Sequence, residues 1–222
     1  KSLPKDYRIA CRKEHQLTDR PRLTPAIADV RRAVRESWDA SGVVAGDLVL
    51  VACSGGPDSL ALAAAVAFEA PRAGISAGAV IVEHGIQAIT KDVAARTAEV
   101  LRTLGLDPVQ VAHVSVGEAG GPEAAARAAR YEALDEAAAA LDAKVVMLGH
   151  TLDDQAETVM LGLARGSGPR AVNGMAVHAG RYLRPLLGIK RETTHSFCED
   201  SGLEPWIDPQ NSEDRFTRVR VR

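Results

Sequence analysis

The segment SGGPDS at residues 54–59 combines residue types that suit phosphate chemistry. Two glycines allow a sharp turn that points consecutive backbone N–H groups at one spot, and the helix expected after them adds the positive end of its dipole. Asp58 would repel a bare phosphate, which predicts a divalent metal such as Mg²⁺ beside it. The lysine of the GxxxxGK[ST] motif is missing, which excludes a kinase or GTPase loop. The alternative is a tight turn that needs glycine only for its geometry.

A second group of polar residues lies in the segment GHTLDDQAET at residues 149–158. Asp154 and Glu157 are three residues apart, so on a helix they project from one face. Two carboxylates on one face form a pocket suited to a cation, which is either a metal ion or an ammonium group. The alternative is an acidic first turn that only complements the helix dipole.

Short apolar runs alternate with segments of helical period, and this alternation must position both groups. We predict strands at 47–53, 79–82, 109–116 and 144–148, and helices at 24–42, 59–70, 90–104, 121–141, 153–164 and 190–201. Because parallel strands need helix-length connections, the pattern predicts an α/β fold, a Rossmann-like, doubly wound parallel sheet with flanking helices. Residues 1–23 are expected to form an irregular arm. A small helical and irregular extension is expected after Gly166.

Three polar residues each follow a predicted strand at its carboxyl end, namely Ser54, His84 and His150. In an open parallel sheet these ends face one side, beside the crevice where ligands bind. We therefore expect the three loops to converge on one crevice. For His84 alone, a buried histidine with a structural role is the alternative.

The composition is that of one soluble domain, with 222 residues of which 46% are hydrophobic and 25% charged. Disorder, collagen and coiled coil are excluded as descriptions of the whole chain. The longest apolar run, at 60–68, is too short to cross a bilayer, and the first residues lack the apolar core of a signal peptide. The three cysteines form no CxxC pair, which argues against a disulfide framework or a cysteine zinc site. We expect a cytoplasmic protein without a membrane partner.

The net charge of −2 conceals an uneven distribution, because both ends of the chain are basic and the middle is acidic. The last eight residues contain four arginines and no acidic residue. Guanidinium groups suit phosphate, so these ends are candidates for contact with a nucleic acid. The alternative is a genome that prefers arginine.

The SGGPDS loop resembles the pyrophosphate loop (PP-loop) of the N-type ATP pyrophosphatases, and further blocks resemble the tRNA(Ile)-lysidine synthetases within that superfamily. The blocks follow the family's order: VEHGIQ at 82–87, EAAARAARY at 123–131, LDDQAET at 152–158 with RGSG at 165–168, and DPQN at 208–211 with FTRVR at 216–220. Glu83 stands where the family has Asp or Asn, and Gln87 where it often has Arg. These departures leave the role of Glu83 open.

The resemblance implies the adenine nucleotide alpha hydrolase-like fold, with residues 24–222 as the PP-loop catalytic domain and without the family's C-terminal tRNA-binding part. It implies a ligase that uses ATP to join free L-lysine to the wobble cytidine of tRNA(Ile) with a CAU anticodon. The reaction passes through an adenylated cytidine and gives lysidine, AMP and pyrophosphate. The substrates implied are therefore ATP with Mg²⁺, free L-lysine and the tRNA. A homodimer is compatible with the sequence.

The resemblance also assigns roles to individual residues. The implied catalytic residues are Asp58, Asp154, Glu157, Arg127 and Arg130. ATP binding is implied for Ser54, Gly55, Gly56, Pro57, Asp58, Ser59, Val82, His84, Gly149 and His150. Lysine binding is implied for Asp154 and Glu157, Mg²⁺ binding for Asp58, and tRNA or phosphate contact for Arg215, Arg218, Arg220 and Arg222. From the residues alone, the spacing of Arg127 and Arg130 favours the solvated face of an alanine-rich helix over a catalytic role.

Three alternatives remain open. A tRNA thiolase of the same superfamily needs catalytic cysteines or an iron–sulfur cluster, for which Cys53 and Cys198 have no suitable partner. A nucleotide-binding module without catalysis has no need of Asp58 together with the Asp154/Glu157 pair. A small-molecule synthetase that uses ammonia has no need of the basic tail.

Overall fold

The structure, a computed structural model, describes residues 23–83, 88–114, 121–164, 166 and 173–206. The helices are α1 (Pro25–Ser41), α2 (Pro57–Ala73), α3 (Ala88–Thr103), α4 (Pro122–Ala140), α5 (Leu152–Ala164) and α6 (Arg191–Asp200). The strands are β1 (Leu48–Ala52), β2 (Ser76–Glu83), β3 (Val109–His113), β4 (Val145–Leu148), β5 (His178–Ala179) and β6 (Tyr182–Leu183), and a 3₁₀ turn spans Pro185–Gly188.

The described strands form one sheet in the order β3-β2-β1-β4-β6-β5. The pairs from β3 through to β6 are parallel, and β5 pairs antiparallel with β6. The predicted doubly wound α/β fold is confirmed, and all four predicted strands are present. The added feature is the β5–β6 hairpin at one edge, which makes the sheet mixed rather than wholly parallel.

The central strand β1 is buried on both faces, and its residues alternate between two hydrophobic cores. Val49 and Val51 face a core formed with α1, α2, α3 and α6, whereas Leu50 and Ala52 face a second core formed with α4. This alternation follows from the two-residue period of a strand. Helices therefore cover both faces, and the site must lie at an end of the sheet.

The order in which the chain adds strands to the sheet reverses between β1 and β4. On the β1 side the next strands are β2 and β3, and on the β4 side they are β6 and β5. Ligands of open α/β sheets bind at such a boundary, outside the carboxyl ends of the strands. At this boundary Gly149, which follows β4, lies against Asp58 and Ser59 in the first turn of α2, the helix that follows β1.

Several predicted features lie outside the described residues. These are residues 1–22 of the expected arm, His84, Gln87, the RGSG block apart from Gly166, and the C-terminal tail with Arg215, Arg218, Arg220 and Arg222. None of the described helices is both long and apolar enough to cross a membrane.

Candidate active site

The SGGPDS loop is held in place by a network of hydrogen bonds around one hydroxyl group. The Ser59 Oγ accepts from the backbone N–H of Ser54 at 3.2 Å and donates to the carbonyl of Gly56 at 3.0 Å. Gly55 has a φ of +85°, and a Cβ atom there would lie 2.6 Å from the Thr97 Oγ1 atom, so the turn requires glycine. The loop thus leads directly into the N-terminus of a 17-residue helix.

Helix α2 begins at Pro57, two residues earlier than predicted, which places Asp58 in its first turn. The Asp58 carboxylate accepts a hydrogen bond from the Thr194 hydroxyl of α6 and lies 3.7 Å from the Arg191 Nε atom. Burial raises the pKa of Asp58, against the opposing effects of the Thr194 hydrogen bond and the Arg191 charge. A partly desolvated carboxylate in this position can bind a cation.

The loop after β4 packs against the SGGPDS loop through Gly149. A Cβ atom at Gly149 would lie 3.0 Å from the backbone of Asp58 and Ser59, so this close approach also requires glycine. Thr151 is fully buried, and its N–H and hydroxyl donate to the Asp154 Oδ2 atom at 2.8 and 3.0 Å. These bonds fix the Asp154 side chain beside the first loop.

Asp58, Asp154 and Glu157 converge on a single guanidinium group, that of Arg191 at the start of α6. The Arg191 Nη2 atom lies 2.8 Å from the Asp154 Oδ1 atom and 3.3 Å from the Glu157 Oε1 atom. Its backbone N–H donates to Asp153 at 2.8 Å. Burial alone would lower the pKa of Arg191, but the three carboxylates outweigh burial and raise it. We call Asp58, Asp154, Glu157 and Arg191 together the acidic cluster.

Asp154 and Glu157 thus face one shared cationic group, the Arg191 guanidinium, which belongs to the chain itself. Both side chains project from one face of α5, as their spacing predicted. Within the described ranges, no group of three or more His, Cys, Asp or Glu side chains has the geometry of a metal site. A single carboxylate such as Asp58 is compatible with Mg²⁺, which commonly binds one or two carboxylates together with phosphate oxygens.

Three arginines, Arg130, Arg184 and Arg127, act electrostatically on His150 in the β4 loop. Burial, followed by the charge of Arg130, lowers the pKa of His150 to about 4, and Arg184 and Arg127 contribute to the shift. His150 is therefore neutral near pH 7. Its Nδ1 atom is buried and has no hydrogen-bond partner among the described residues.

The carboxyl end of β2 is occupied by Val82, which is half-buried against the second core, and by Glu83. Glu83 is 3% exposed, and its Oε2 atom lies 2.9 Å from the His113 Nδ1 atom on β3. The extra length of Glu83 relative to Asp is thus used to reach the edge strand.

The sequence alone did not reveal Arg191, Thr194 or Arg184 as members of the site. Arg191 and Thr194 belong to a helix that was predicted only as part of the extension. The available signal was Arg191 at a helix start, where a cation opposes the helix dipole unless acidic groups surround it. The sequence around Arg184 contains no comparable signal of a role in the site.

Comparison with known proteins places this arrangement in a family. A profile of the PP-loop domain matches residues 29–222. A tRNA(Ile)-lysidine synthase from Leifsonia xyli subsp. xyli is 62% identical over 80% of this chain and 53% of its own length. Those from Thermobifida fusca and Streptomyces coelicolor are each 56% identical, over 89% and 82% of this chain and 60% and 53% of their own lengths. The chain thus spans little more than half of each of these relatives.

Among solved structures, the U34-tRNA thiolase NcsA from Methanococcus maripaludis, with its [4Fe-4S] cluster, superposes with a TM-score of 0.74. The match covers 88% of this chain and 70% of the thiolase at 18% identity, which establishes a common fold. The resemblance first drawn from the motifs is confirmed by the profile and by the sequence relatives. The chain belongs to the PP-loop domain family.

Proposed function

We propose that the protein carrying this domain is a ligase that joins free L-lysine to the wobble cytidine of tRNA(Ile) with a CAU anticodon, at the expense of ATP. The observation that carries the proposal is the contact between two loops, the SGGPDS loop and the Gly149 turn that leads to Asp154 and Glu157. A phosphate site and a site for an amine are thereby adjacent. The names of the relatives support the choice of substrates.

In this proposal the SGGPDS loop binds the ATP. Backbone N–H groups of the loop, the α2 dipole and the hydroxyls of Ser54 and Ser59 suit the phosphates of ATP. Asp58 would hold Mg²⁺, which supplies neutralising charge for the departing pyrophosphate. Transfer of AMP to the cytidine O2 atom forms the adenylated intermediate and releases pyrophosphate.

In this proposal Asp154 and Glu157 bind the amine of the substrate lysine. A lysine ammonium group placed between them would occupy the position of the Arg191 Nη2 atom, which is 2.8 and 3.3 Å from the two carboxylates. Two cationic nitrogens do not share one position, so lysine binding at this pair requires the Arg191 guanidinium to move. Arg191 is in this respect an internal competitor of the substrate.

The second half of the reaction needs a neutral amine, because an ammonium group is not a nucleophile. A carboxylate of the acidic cluster would accept the proton as the lysine ε-nitrogen attacks the ring carbon that bears the adenylated oxygen. The new C–N bond forms, the C–O bond breaks, and AMP leaves with the oxygen. The four tail arginines, Arg215, Arg218, Arg220 and Arg222, would contact the RNA backbone.

The test uses the whole protein with ATP, L-lysine and tRNA(Ile)(CAU), and measures lysine-dependent release of AMP. Glu157→Gln and Asp154→Asn are expected to lower kcat/KM for lysine by about 100-fold or more, since each removes a charged partner in a partly buried site. Glu199→Gln, on the exposed face of α6, is the control and should match the wild type. Equal lysine dependence in all four proteins would contradict the assignment.

The thiolase alternative receives no support from the described cysteines. Cys53 and Cys198 are both buried. Burial raises the pKa of each thiol, in Cys198 to about 12, so neither is a thiolate near pH 7.

A further inference from the structure

Arg184, which directly follows β6, is unusual for an arginine because only 7% of the residue is exposed. Its Nη1 atom donates to the carbonyl of Ala176 at 3.0 Å and its Nη2 atom to the Tyr131 hydroxyl at 3.4 Å. Its Nε atom is buried and has no partner among the described residues. A buried guanidinium group normally has an anionic partner, since an unpaired charge loses its hydration without compensation.

A second guanidinium group meets the same hydroxyl. The Arg127 Nη2 atom on α4 donates to the Tyr131 hydroxyl at 3.3 Å. The phenol oxygen therefore accepts two N–H groups, and no described residue accepts the hydroxyl's own proton. Two guanidinium groups, one on α4 and one directly after β6, thus converge on the Tyr131 hydroxyl.

No carboxylate among the described residues forms an ion pair with Arg127 or Arg184. The arginines nearby behave differently: Arg181 lies 3.4 Å from Asp135, and Arg191 is paired within the acidic cluster. The charge of the Arg127–Tyr131–Arg184 group is therefore uncompensated by the described part of the protein. The charges of Arg184 and Arg127 also help to lower the pKa of His150, whose buried Nδ1 atom has no partner in the same described ranges.

We infer that Arg127, Tyr131 and Arg184 form an oxyanion-binding subsite, distinct from the phosphate nest of the first loop. Two guanidinium groups and a hydroxyl match the oxygens of a carboxylate or a phosphate. The inference deepens the proposed function and rests on it for the choice of substrates. The oxyanion comes from one of these, either the α-carboxylate of lysine or a phosphate of ATP.

The experiment compares each oxyanion with an analogue that lacks it. Binding of L-lysine and L-lysinamide, and of ATP and adenosine, is measured by titration calorimetry on the wild-type chain and on Arg127→Gln and Arg184→Gln. Arg181→Gln is the matched control, because Arg181 is close in sequence to Arg184 but already has Asp135 as a partner. Arg127 is exposed, so its variant tests the subsite even if the loss of buried Arg184 impairs folding.

Both subsite variants are expected to bind one oxyanion probe about 10- to 100-fold more weakly, which is the range for a charge-assisted hydrogen bond, and its analogue unchanged. Loss for lysine identifies the carboxylate, and loss for ATP identifies the phosphate. Wild-type affinities for both probes in Arg127→Gln would overturn the subsite. Failure of the wild type to bind lysine would instead count against the proposed function, and the ATP arm would still decide on the subsite.

Discussion

The two charged groups beside the β4 loop differ in how their charge is compensated. The acidic cluster has three carboxylates and its own cation, Arg191, at 2.8 to 3.7 Å. The Arg127–Tyr131–Arg184 group has two cations whose described partners, the Tyr131 hydroxyl and the Ala176 carbonyl, are both neutral. A cationic ligand of the first must therefore replace a partner, whereas an anionic ligand of the second only adds one.

This difference bears on affinity as well as geometry. Replacement costs the free energy of the internal ion pairs, so the apparent affinity for the ligand falls by the fraction of molecules in which the pocket is open. Addition has no such cost, and the ligand also relieves an unpaired buried charge. We expect amine binding at the acidic cluster to be weak and selective, and oxyanion binding at the arginines to be the stronger contact.

The largest expected effect comes from removing the internal cation. Arg191→Met leaves Asp154 and the nearly buried Glu157 without this partner, and should lower the free energy of unfolding at pH 8 by about 3 kcal/mol. Urea unfolding provides the measurement. Lys190→Gln removes the same charge from the preceding, exposed residue and should change stability by less than about 0.5 kcal/mol. A loss below about 1 kcal/mol in Arg191→Met would mean that the cluster does not depend on this ion pair.

The next effect concerns His150, whose pKa responds to charges of both groups, Asp154 on one side of the balance and Arg184 and Arg127 on the other. Its pKa falls from 6.5 to about 4 on folding, so the unfolded chain binds more protons in that window. Stability from this residue is therefore complete above pH 6.5 and is lost as the pH falls towards 4, by about 2 kcal/mol after allowance for partial exposure. His150→Gln should flatten this part of the stability curve, measured by thermal unfolding from pH 7 to 4.5.

The control for the pH experiment is His178→Gln, since His178 is an exposed residue of β5. The comparison with the wild type also cancels the contribution of Asp58, whose raised pKa gives the opposite slope. Parallel curves for His150→Gln and the wild type would show that His150 is protonated as easily in the folded state as in the unfolded chain.

A smaller effect is expected on lysine affinity. If Arg191 competes with the substrate amine, Arg191→Gln should bind L-lysine about 10-fold more tightly than the wild type. Arg191→Lys keeps a competing cation and should stay near the wild-type value. Calorimetric titration measures both, and weaker binding by Arg191→Gln would indicate that Arg191 stays in place and holds the carboxylates for the substrate.

The smallest effect concerns the link between the two groups. The Gln155 side chain on α5 donates to the Met175 carbonyl at 2.8 Å and accepts from the Met175 N–H at 2.6 Å, which ties the helix of the acidic cluster to the segment before Arg184. Gln155→Ala should cost about 1 kcal/mol and increase hydrogen exchange at the Met175 amide. Unchanged protection of that amide would contradict the link.

Much of this arrangement was predictable from local patterns. Strand and helix periods gave the α/β fold, and the three-residue spacing placed Asp154 and Glu157 on one helix face. Arg191 was not predictable, because it is 34 residues from Glu157 and ion pairs between distant segments leave no period in the sequence. Arg184 contradicts the general preference of arginine for the surface, and the strand before it has only two residues.

Gly149 has a consequence for how such a domain can change over evolution. A Cβ atom at Gly149 would lie only 3.0 Å from the backbone of Asp58 and Ser59, so no side chain separates the two segments there. Side chains on α5 can therefore be exchanged without a change in the separation between this turn and the SGGPDS loop. Over evolution the side chains of α5 can thus vary while the position of the SGGPDS loop stays the same.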